Sequence, residues 1–592
     1  MQNPTRLFDC IDIHLKAAPE RTMLAAKENG EWKEYSTSEV AVIVNNLSAG
    51  LLQMGFGSGD STPEGRDKIA IIAKNRPEWV MLDLAVQQIG AVLTPVYPTI
   101  GDPELEFILK DARVEILFVN DELLFEKVNG IKAKLPDLKH IYSFEKSEHI
   151  KHWKEVLSLG NEAHLKQVKA ISDKIQYEDL VTIIYTSGTT GTPKGVMLSH
   201  KNILSNVMAS IPCFPPGENM KALSFLPLNH IFERMVSFIY LFKGTSVFFA
   251  ESMETIGDNL REVKPHLFTT VPRVLEKVYD KIMLKGEELT GIKRKLFFWA
   301  HDLATKFEIN KKQSAIYNFQ LSIANKLIFK KWREALGGEA KCIVSGGAAC
   351  QVRLLRIFTA AGIPIMEGYG LTETSPVISV NRYEEEGRMF GSVGLLLENV
   401  EVKIAPDGEI LGKGPNVMMG YYKRPDLTAE TMEDGWFKTG DIGMMVGDFL
   451  KITDRKKEMF KTSGGKYVAP VAIENKLKES NLIENLIVIG AGEKYVSALI
   501  IPSFANLKAW CKENQVDFSD PEKIVTNPQI QQLYRNEIDL YNPNFNHVEQ
   551  IKKFELLPYE WSVESGEMTP KLSLKRKVIM EKNKDAVKRI YG

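Results

Sequence analysis

The feature that most constrains the fold is a repeated alternation of short apolar runs with segments of helical periodicity. The run KIAIIAK at 68–74 is typical of a buried strand, and PEWVMLDLAVQQIG at 77–90 is typical of a helix opened by proline. The next run, AVLTPVYP at 91–98, completes a predicted βαβ unit. Similar runs, each ending in turn residues, recur at 180–188, 222–228, 246–250 and 340–347. We therefore expect open α/β sheets covered by helices.

Length, charge and cysteine pattern narrow the class of protein. A chain of 592 residues with 44% hydrophobic content is long enough for several domains. Its 75 basic and 76 acidic side chains nearly cancel, which gives no reason to expect a nucleic acid partner. The five cysteines lie far apart in no CxxC or histidine-rich pattern, so neither a disulfide framework nor a zinc site is indicated. A reducing cytoplasm fits this pattern best.

Three segments bear on membrane association. The first residues, MQNPTRLFDC, lack the apolar core of a signal peptide, and the apolar run at 238–250 is interrupted by Lys243. The block from Arg273 to Glu334 is helical in pattern and basic, with 14 Lys and Arg against 7 Asp and Glu. Two interpretations of this block stay open: helices that hold anionic lipid headgroups at the inner face of a membrane, or an amphipathic layer with a solvated polar face. Membrane contact, where it occurs, is expected to be peripheral.

The remaining patterns predict the domain organisation. From Val400 the sequence VEVKIAPDGEILGKG predicts a hairpin that turns at 406–408, within a small β subdomain. After Asp454, the segments LIENLIVIG and YVSALIIPS predict strands and FANLKAWCKEN predicts a helix, a compact α+β pattern of domain size. The predicted division is an N-terminal domain at 1–454, with a helical insertion at about 273–335 and the β subdomain at about 390–453, and a C-terminal domain at 455–592.

The run YTSGTTGTPKG at 185–195 combines hydroxyls, glycines and one lysine. It follows an apolar strand and precedes VMLSHKNIL, which we predict to begin a helix. A strand, a loop of small donors and a helix present backbone N–H groups to phosphate oxygens, and Lys194 adds a cation. A Walker A loop needs Gly-Lys-Ser or Gly-Lys-Thr, whereas here Pro193 precedes Lys194-Gly195. The run is therefore interpreted as a phosphate loop of another class.

Three further motifs follow in order: EGYGLTETSP at 367–376, WFKTGDIG at 436–443 and ITDRKKEMFKTSGGKYVAP at 452–470. With the phosphate loop, they resemble the motifs of the adenylate-forming superfamily of acyl-CoA synthetases, luciferases and peptide-synthetase adenylation domains. The wording of LPLNHIFER at 226–234 and the helical block look most like the long-chain fatty acid subgroup. The resemblance implies an α/β fold with a large N-terminal domain of α/β sheets plus a small β subdomain, and a smaller, mobile α+β C-terminal domain.

The resemblance also implies a nucleotide and coenzyme A site. The residues assigned to it are Thr186, Ser187, Gly188, Thr189, Thr190, Gly191, Lys194, Gly346, Gly347, Ala348, Glu367, Gly368, Tyr369, Gly370, Thr372, Asp441, Ile452, Arg455, Gly464 and Lys466. The residues assigned to catalysis are Glu373, Lys194, Lys571, His230 and Lys461. The implied metal is Mg²⁺, held by Glu373 and Thr186, since this hard cation prefers oxygen ligands.

Each assigned role competes with a simpler structural one. In the second motif, Tyr369 would stack on adenine and Thr372 would donate to the α-phosphate; the alternative is a helix start capped by Thr372 or Thr374, with Glu373 on its surface. Asp441 would accept from the ribose hydroxyls, and the alternative is an aspartate in an ordinary turn.

Comparable alternatives apply to the other positions. Arg455 would bind ribose or phosphate, or else lie on the surface. His230 would lie near the acyl carboxylate and the thiol entrance, or else be a core histidine bonded to the backbone.

The resemblance also implies a hinge at Lys457, about which the C-terminal domain rotates between two half-reactions. In the second conformation Lys461, Gly464 and Lys466 would lie near the thiol tunnel; a basic linker with a glycine turn is the alternative.

One position departs from the family pattern. Many members carry an adenylation lysine three residues before an arginine near the C-terminus, but here Ser573 stands at that offset from Arg576. Serine supplies no cation to bridge carboxylate and phosphate. Lys571 lies two residues earlier, on the same side of an extended segment, and Lys575 is a weaker candidate on the opposite side.

The implied function is ATP-dependent ligation of a long-chain fatty acid to coenzyme A through an acyl-adenylate, with release of AMP and pyrophosphate. The missing lysine leaves one alternative open, a nucleotide- or acyl-binding sensor without catalysis. A further alternative is an enzyme that transfers the acyl group to a carrier protein, although the KTSGGKYV sequence favours the soluble thiol. The oligomeric state is left open by the sequence.

Overall fold

The fold was analysed on a computed structural model, which describes residues 4–57, 60–186, 192–217, 219–562, 564–569 and 574–592. The chain divides into two compact units. Unit 1 comprises Met1–Gly347, Leu355–Val402 and Gly412–Lys438, and unit 2 comprises Ala348–Leu354, Lys403–Leu411 and Thr439–Gly592. The division predicted at 454/455 stays a prediction.

The strands of the described residues, in chain order, are β1 Thr22–Glu28, β2 Glu31–Ser36, β3 Lys68–Ile72, β4 Val92–Pro95, β5 Ile116–Val119, β6 His140–Ser143, β7 Lys151–His152, β8 Leu180–Thr186, β9 Lys194–Ser199, β10 Lys221–Ser224, β11 Ser246–Phe249, β12 Leu267–Thr270, β13 Cys342–Ser345, β14 Ile365–Gly370, β15 Val377–Val380, β16 Leu395–Leu396, β17 Glu401–Ile404, β18 Glu409–Lys413, β19 Gly420–Tyr421, β20 Met432–Glu433, β21 Trp436–Val446, β22 Phe449–Arg455, β23 Phe460–Lys461, β24 Tyr467–Val468, β25 Ile483–Ile489, β26 Val496–Pro502 and β27 Ile551–Leu556.

The α-helices of the described residues are α1 Asp9–Ala17, α2 Thr37–Gln53, α3 Pro77–Gln88, α4 Asp102–Asp111, α5 Glu122–Asn129, α6 Lys154–Leu157, α7 Glu162–Ser172, α8 His200–Ser210, α9 Ile231–Lys243, α10 Ile256–Val263, α11 Pro272–Glu287, α12 Gly291–Thr305, α13 Ala315–Ala324, α14 Lys330–Ala335, α15 Val352–Ala360, α16 Pro425–Thr431, α17 Pro470–Leu477, α18 Phe504–Glu513, α19 Pro521–Thr526, α20 Pro528–Tyr541, α21 Arg576–Lys582 and α22 Lys584–Tyr591. Among the described residues, none of these helices is long and apolar enough to cross a bilayer.

Unit 1 contains two mixed sheets. The first has the order β19-β9-β8-β4-β3-β5-β6-β7, in which β8 to β7 run parallel and β9 and β19 are antiparallel additions at one edge. The second has the order β16-β15-β14-β13-β12-β10-β11-β1-β2, with a parallel centre from β14 to β1. The predicted βαβ unit is present as β3, α3 and β4, and β3 is buried along its whole length. The predicted α/β class is confirmed.

Unit 2 includes the three-stranded sheet β25-β26-β27. Because side chains alternate between the faces of a strand, β25 and β26 contribute to two separate cores. Val488 and Ile500 join a core with α17, α18 and α20, whereas Ile487 and Ile501 join a second core with α21 and α22. The strands and the helix predicted after Asp454 are therefore confirmed.

Helix α9 is bonded to both sheets of unit 1 by adjacent buried residues. Arg234, on one side, donates Nε to Asp83 Oδ2 of α3 at 2.8 Å and Nη1 to Thr182 Oγ1 of β8 at 2.7 Å. Glu233, on the other side, accepts from Ser224 Oγ of β10 at 2.6 Å and from Thr269 Oγ1 of β12. Burial raises the pKa of Glu233 to about 7. These contacts give Glu233 and Arg234 of the HIFER sequence a role in packing.

The segment after the phosphate loop differs from its prediction. VMLSHKNIL was expected to begin a helix directly after the loop, but Lys194–Ser199 forms strand β9, antiparallel to β8. The helix begins only at His200, because Ser199 caps it: Ser199 Oγ accepts from Asn202 N at 3.1 Å. The described residues that flank the loop therefore belong to two paired strands, and helix α8 begins only after the second of them.

We expect Asp83→Ala to lower the free energy of unfolding by about 3–5 kcal/mol, because it leaves the Arg234 guanidinium buried without its counter-charge. Arg234 and Asp83 are 1% and 2% exposed. The change in thermal unfolding midpoint provides the measurement.

Lys169→Ala is the control, because its pair with Asp173 is 74% and 54% exposed and exposed pairs contribute less than about 1 kcal/mol. Equal shifts for both variants would contradict the assigned role of the buried pair.

Candidate functional site

The described residues at the two ends of the phosphate loop lie on two paired strands. Thr186, the last residue of β8, lies opposite Lys194, the first residue of β9. The predicted phosphate ligands Ser187, Gly188, Thr189, Thr190 and Gly191 lie outside the described residues. Gly195 has a packing role, since a Cβ there would lie 2.7 Å from Ile183 Cγ2.

Lys194 and Glu373 are linked through Tyr421. Strand β19 places Tyr421 opposite Val196 of β9. The Lys194 ammonium lies 4.9 Å from the centroid of the Tyr421 ring, and the Tyr421 hydroxyl donates to Glu373 Oε1 at 2.8 Å. Burial and the negative Glu373 raise the pKa of Tyr421 well above its usual value, so its hydroxyl stays a donor. The structure thus brings two of the predicted catalytic residues onto one aromatic side chain.

Tyr421 was missed by the sequence analysis. It lies 48 residues after Glu373, and the GYYK sequence does not distinguish it from Tyr422. Because neighbouring residues of an extended segment point in opposite directions, only one of the two tyrosines can reach Glu373. The Tyr422 hydroxyl is buried and has no hydrogen-bond partner in the part of the chain that the structure describes.

The second motif forms a short 3₁₀ turn at Thr372–Thr374 after β14. Of the two threonines expected as caps, Thr374 makes the capping hydrogen bond: its Oγ1 accepts from Leu371 N at 3.0 Å. Glu373 is held from both ends, because its backbone oxygen also accepts from Met418 N at 2.8 Å. Gly370 is required by packing, since a Cβ would lie 1.7 Å from Pro376 O. The carboxylate of Glu373 is therefore positioned by its backbone and by its side chain.

The neighbouring predicted nucleotide residues lie at the ends of parallel strands. Gly346 and Gly347 follow β13, and Glu367, Gly368 and Tyr369 belong to β14, its neighbour in the sheet. Glu367 and Tyr369 are buried. A Cβ at Gly346 would lie 3.0 Å from the ring of Phe232, which places this loop beside the start of α9. Ala348, which continues the loop, is exposed.

His230 is the N-cap of α9, six residues after the end of β10, and not a strand-end residue as predicted. Its Nδ1 accepts from Phe232 N at 3.2 Å. The ring is partly buried. The bond from Phe232 N makes Nδ1 the accepting nitrogen, and it fits the alternative of a histidine bonded to the backbone.

The ribose motif in unit 2 is a strand pair. Asp441, within β21, lies opposite Arg455, the last residue of β22, with Arg455 Nε 3.5 Å from Asp441 Oδ1. Asp441 is buried while Arg455 is 54% exposed. Ile452, on the same strand, is partly buried. The alternative of a turn aspartate is excluded by this position.

The segment around Lys457 is anchored by a buried charge cluster of unit 2. Arg576 donates Nε to Glu458 Oε2 at 3.2 Å and also contacts Glu474. Burial, with the negative Glu458 and Glu474 nearby, raises the pKa of Asp454 to about 7. Lys457 itself is exposed.

The lysines proposed to serve the thiol step lie on a small hairpin, β23 and β24. Lys461 Nζ lies 4.6 Å from the centroid of the Tyr467 ring, and Thr462 N donates to Lys466 O at 3.0 Å. Gly464 is exposed in the turn of this hairpin. Lys571 lies outside the described residues, whereas Lys575 N donates to Glu567 O at 2.7 Å.

Comparison with known proteins identifies the family of the chain. The sequence profile of the AMP-binding enzyme family matches residues 11–422, and that of the AMP-binding enzyme C-terminal domain matches residues 458–592. The chain belongs to this family, as the motifs predicted.

Among its relatives, the long-chain-fatty-acid–CoA ligase FadD15 of Mycobacterium bovis is 30% identical over 98% of this chain and 96% of its own length. Human long-chain-fatty-acid–CoA ligase 1 is 31% identical over 92% of this chain and 80% of its own length. A solved structure of O-succinylbenzoate coenzyme A synthetase from Bacillus subtilis, in complex with ATP and magnesium ion, has a TM-score of 0.67 at 20% identity and covers 96% of this chain and 98% of its own. The last likeness establishes the common fold.

We expect Tyr421→Phe to lower kcat/KM for adenylation about 10- to 100-fold, because a hydrogen bond to a charged group contributes roughly 1.5–3 kcal/mol. The magnesium concentration needed for half-maximal rate should rise as well, since the bond positions Glu373.

Tyr422→Phe is the matched control, because its hydroxyl has no partner among the described residues. A Tyr421→Phe enzyme with wild-type rate and wild-type magnesium dependence would refute the positioning role.

Proposed function

We propose that the protein joins long-chain fatty acids to coenzyme A in an ATP-dependent reaction that passes through an acyl-adenylate and releases pyrophosphate and AMP. The observation that carries the proposal is the cluster of Lys194, Tyr421 and Glu373 at the base of the phosphate loop. The names of relatives that align with nearly the whole chain support the substrate class.

In the first half-reaction, a fatty carboxylate and a triphosphate repel each other, so the site must supply positive charge and alignment. Lys194, held against the Tyr421 ring, provides a fixed cation at the end of β9. Thr186, opposite it, places a hydroxyl at the same end of the hairpin. The loop between them would bind the phosphates through its donors.

The residues fit a magnesium ion. Glu373 presents a positioned, partly buried carboxylate, the oxygen chemistry that this hard cation prefers. When bound, Mg²⁺ would neutralise phosphate charge and act as a Lewis acid. Tyr421 would hold the Glu373 carboxylate in position to bind the ion, and we assign Glu373 and Thr186 as the magnesium ligands.

The nucleoside part would be bound by the remaining motif residues. Tyr369 with the loop at 346–348 would enclose the adenine, Thr372 would donate to the α-phosphate, and Asp441 would accept from both ribose hydroxyls. Thr372 is the first residue of the 3₁₀ turn that follows β14, directly before Glu373.

In the second half-reaction, the thiol of coenzyme A attacks the acyl-adenylate carbonyl and AMP leaves. We propose a C-terminal domain that begins at 455 and rotates about Lys457, bringing Lys461, Gly464 and Lys466 to the thiol. The exposed position of Lys457 and the C-terminal family match that begins at residue 458 support this hinge. His230 would act near the acyl carboxylate.

We also propose a cytoplasmic enzyme that associates peripherally with membranes, where its amphiphilic substrates accumulate. The basic helices α11 to α14 support this location. Transfer to a carrier protein and binding without catalysis are outcomes of the assay below.

Glu373→Gln is expected to lower kcat/KM for pyrophosphate release by more than about 100-fold, because metal-assisted charge stabilisation contributes several kcal/mol. The assay supplies fatty acids of graded chain length with ATP, magnesium and coenzyme A, and follows pyrophosphate and thioester together. Glu122→Gln, an exposed position on α5, is the control.

In the same assay, pyrophosphate release by the wild-type enzyme without thioester formation would favour the carrier route. Nucleotide binding without pyrophosphate release would identify a sensor, and a fully active Glu373→Gln enzyme would remove the metal assignment.

Lys571→Ala should abolish adenylation while Lys575→Ala stays near the wild-type rate, because we assign the missing adenylation cation to Lys571. Thermal unfolding midpoints of both variants show whether each is folded. An inactive, folded Lys575→Ala enzyme together with an active Lys571→Ala enzyme would reverse the assignment.

A further inference from the structure

One helical segment of unit 1 exposes apolar side chains to solvent. In an amphipathic layer with a solvated polar face, such side chains would face the core. It runs through α13, a π-helical turn at Asn325–Phe329 and α14. Ile316 is 73% exposed, Phe319 is 68% exposed and Leu327 is 49% exposed. With the half-buried Ile323, they recur at spacings of three and four residues, which places them on one side of a helix. We call these four residues the outer stripe.

The opposite side of the same segment is already packed. Ala324, Phe329 and Trp332 are buried, and the rings of Phe329 and Trp332 lie 4.9 Å apart. Tyr317 Oη donates to Leu303 O of α12 at 2.9 Å. The segment therefore has buried core contacts on one side, and three of the four outer-stripe residues are exposed on the other.

The charged residues within the sequence of this segment, taken from 309 to 333, have one sign. From 309 to 333 the sequence contains no Asp or Glu and contains Lys311, Lys312, Lys326, Lys330, Lys331 and Arg333. The five lysines are exposed, whereas Arg333 donates to Ala361 O and is engaged within the fold. Acidic residues border this range: Glu334 Oε1 lies 3.9 Å from Lys330 Nζ, and Glu385 Oε1 accepts from Asn310 N at 3.2 Å.

We propose that the outer stripe and its lysines are the surface by which the enzyme binds an anionic phospholipid bilayer. Apolar residues at the level of the headgroups, flanked by cations that attract acidic lipids, are the combination that holds an amphipathic helix in a membrane interface. The proposal rests on the peripheral association proposed above and assigns it to particular residues.

A second copy of the chain fits this surface less well. A two-fold interface brings the same patch of both copies together, so the lysines of one copy would face those of the other. An anionic bilayer satisfies the apolar residues and the cations at the same time. The lipid surface is therefore the occupant that the charge pattern favours.

The test measures sedimentation of the full chain with vesicles of phosphatidylcholine alone and of phosphatidylcholine with phosphatidylglycerol. Two variants change the surface: Ile316→Ser with Phe319→Ser, and Lys326→Gln with Lys331→Gln. We expect either pair of substitutions to weaken binding to the acidic vesicles about tenfold or more. The serine pair removes apolar surface that would be buried in the bilayer, and the glutamine pair removes two cations that the anionic headgroups attract.

Matched controls change the same residue types elsewhere. Leu123→Ser with Leu540→Ser removes side chains that are 80% and 67% exposed, and Lys166→Gln with Lys512→Gln removes two exposed cations. Both controls should bind acidic vesicles as the wild type does. All variants should keep the wild-type thermal unfolding midpoint and the wild-type rate with a short, water-soluble fatty acid.

Each of the other outcomes would refute a specific part of the proposal. Wild-type binding by the outer-stripe variants would refute this surface while leaving peripheral association intact, and a wild-type chain that binds neither vesicle would refute both. Equal binding to neutral and acidic vesicles would refute the role of the lysines. A halved mass of the Ile316→Ser, Phe319→Ser variant in lipid-free light scattering would make a second copy the occupant. The short fatty acid assay separates all of these results from failure of the proposed catalytic function.

Discussion

The buried contact between Arg234 and Asp83 is the constraint on which the arrangement of unit 1 depends. The Arg234 guanidinium joins α9 to α3 and to β8, the strand that leads into the phosphate loop. Its neighbour Glu233 joins α9 to β10 and β12 of the other sheet. Removing charged groups from water is unfavourable unless each is paired and hydrogen-bonded, so these contacts permit few alternative packings. The start of α9, with His230 as its cap, is thereby positioned relative to both sheets.

Elements whose structure depends on local sequence were predictable, and elements whose structure depends on pairing with a distant strand were not. Strands such as β3 were predictable, because a continuous apolar run bounded by turn residues has few other folds. The segment at 194–199 was misassigned because its residues suit a helix or a strand, and its pairing with β8 along one edge selects the strand. Ser199, three residues before Asn202, was a readable signal of where the helix begins.

The candidate site shows the same division. Lys194, Glu373 and Asp441 were found through motifs, but their partners required the fold. A two-residue turn after Val446 would place Asp441 opposite Asp454; a register shift between Ile442 and Gly443 places it opposite Arg455 instead. This shift pairs the carboxylate with a cation and leaves Asp454 buried beside other acids, which raises the pKa of Asp454 to about 7. The sequence alone did not predict this β-bulge.

Tyr421 has a second consequence for the charges of the site. A lysine and a glutamate directed at one ligand would neutralise each other if they formed a direct ion pair. Within the described residues, Lys194 contacts the face of the Tyr421 ring and Glu373 contacts its hydroxyl, so the aromatic side chain lies between the two charges. A ring face attracts an ammonium without using a carboxylate. In the proposed site, this arrangement would leave the cation available to phosphate oxygens and the carboxylate available to a metal. In that proposal the tyrosine positions two opposite charges for two different partners, and its raised pKa keeps the linking hydroxyl protonated.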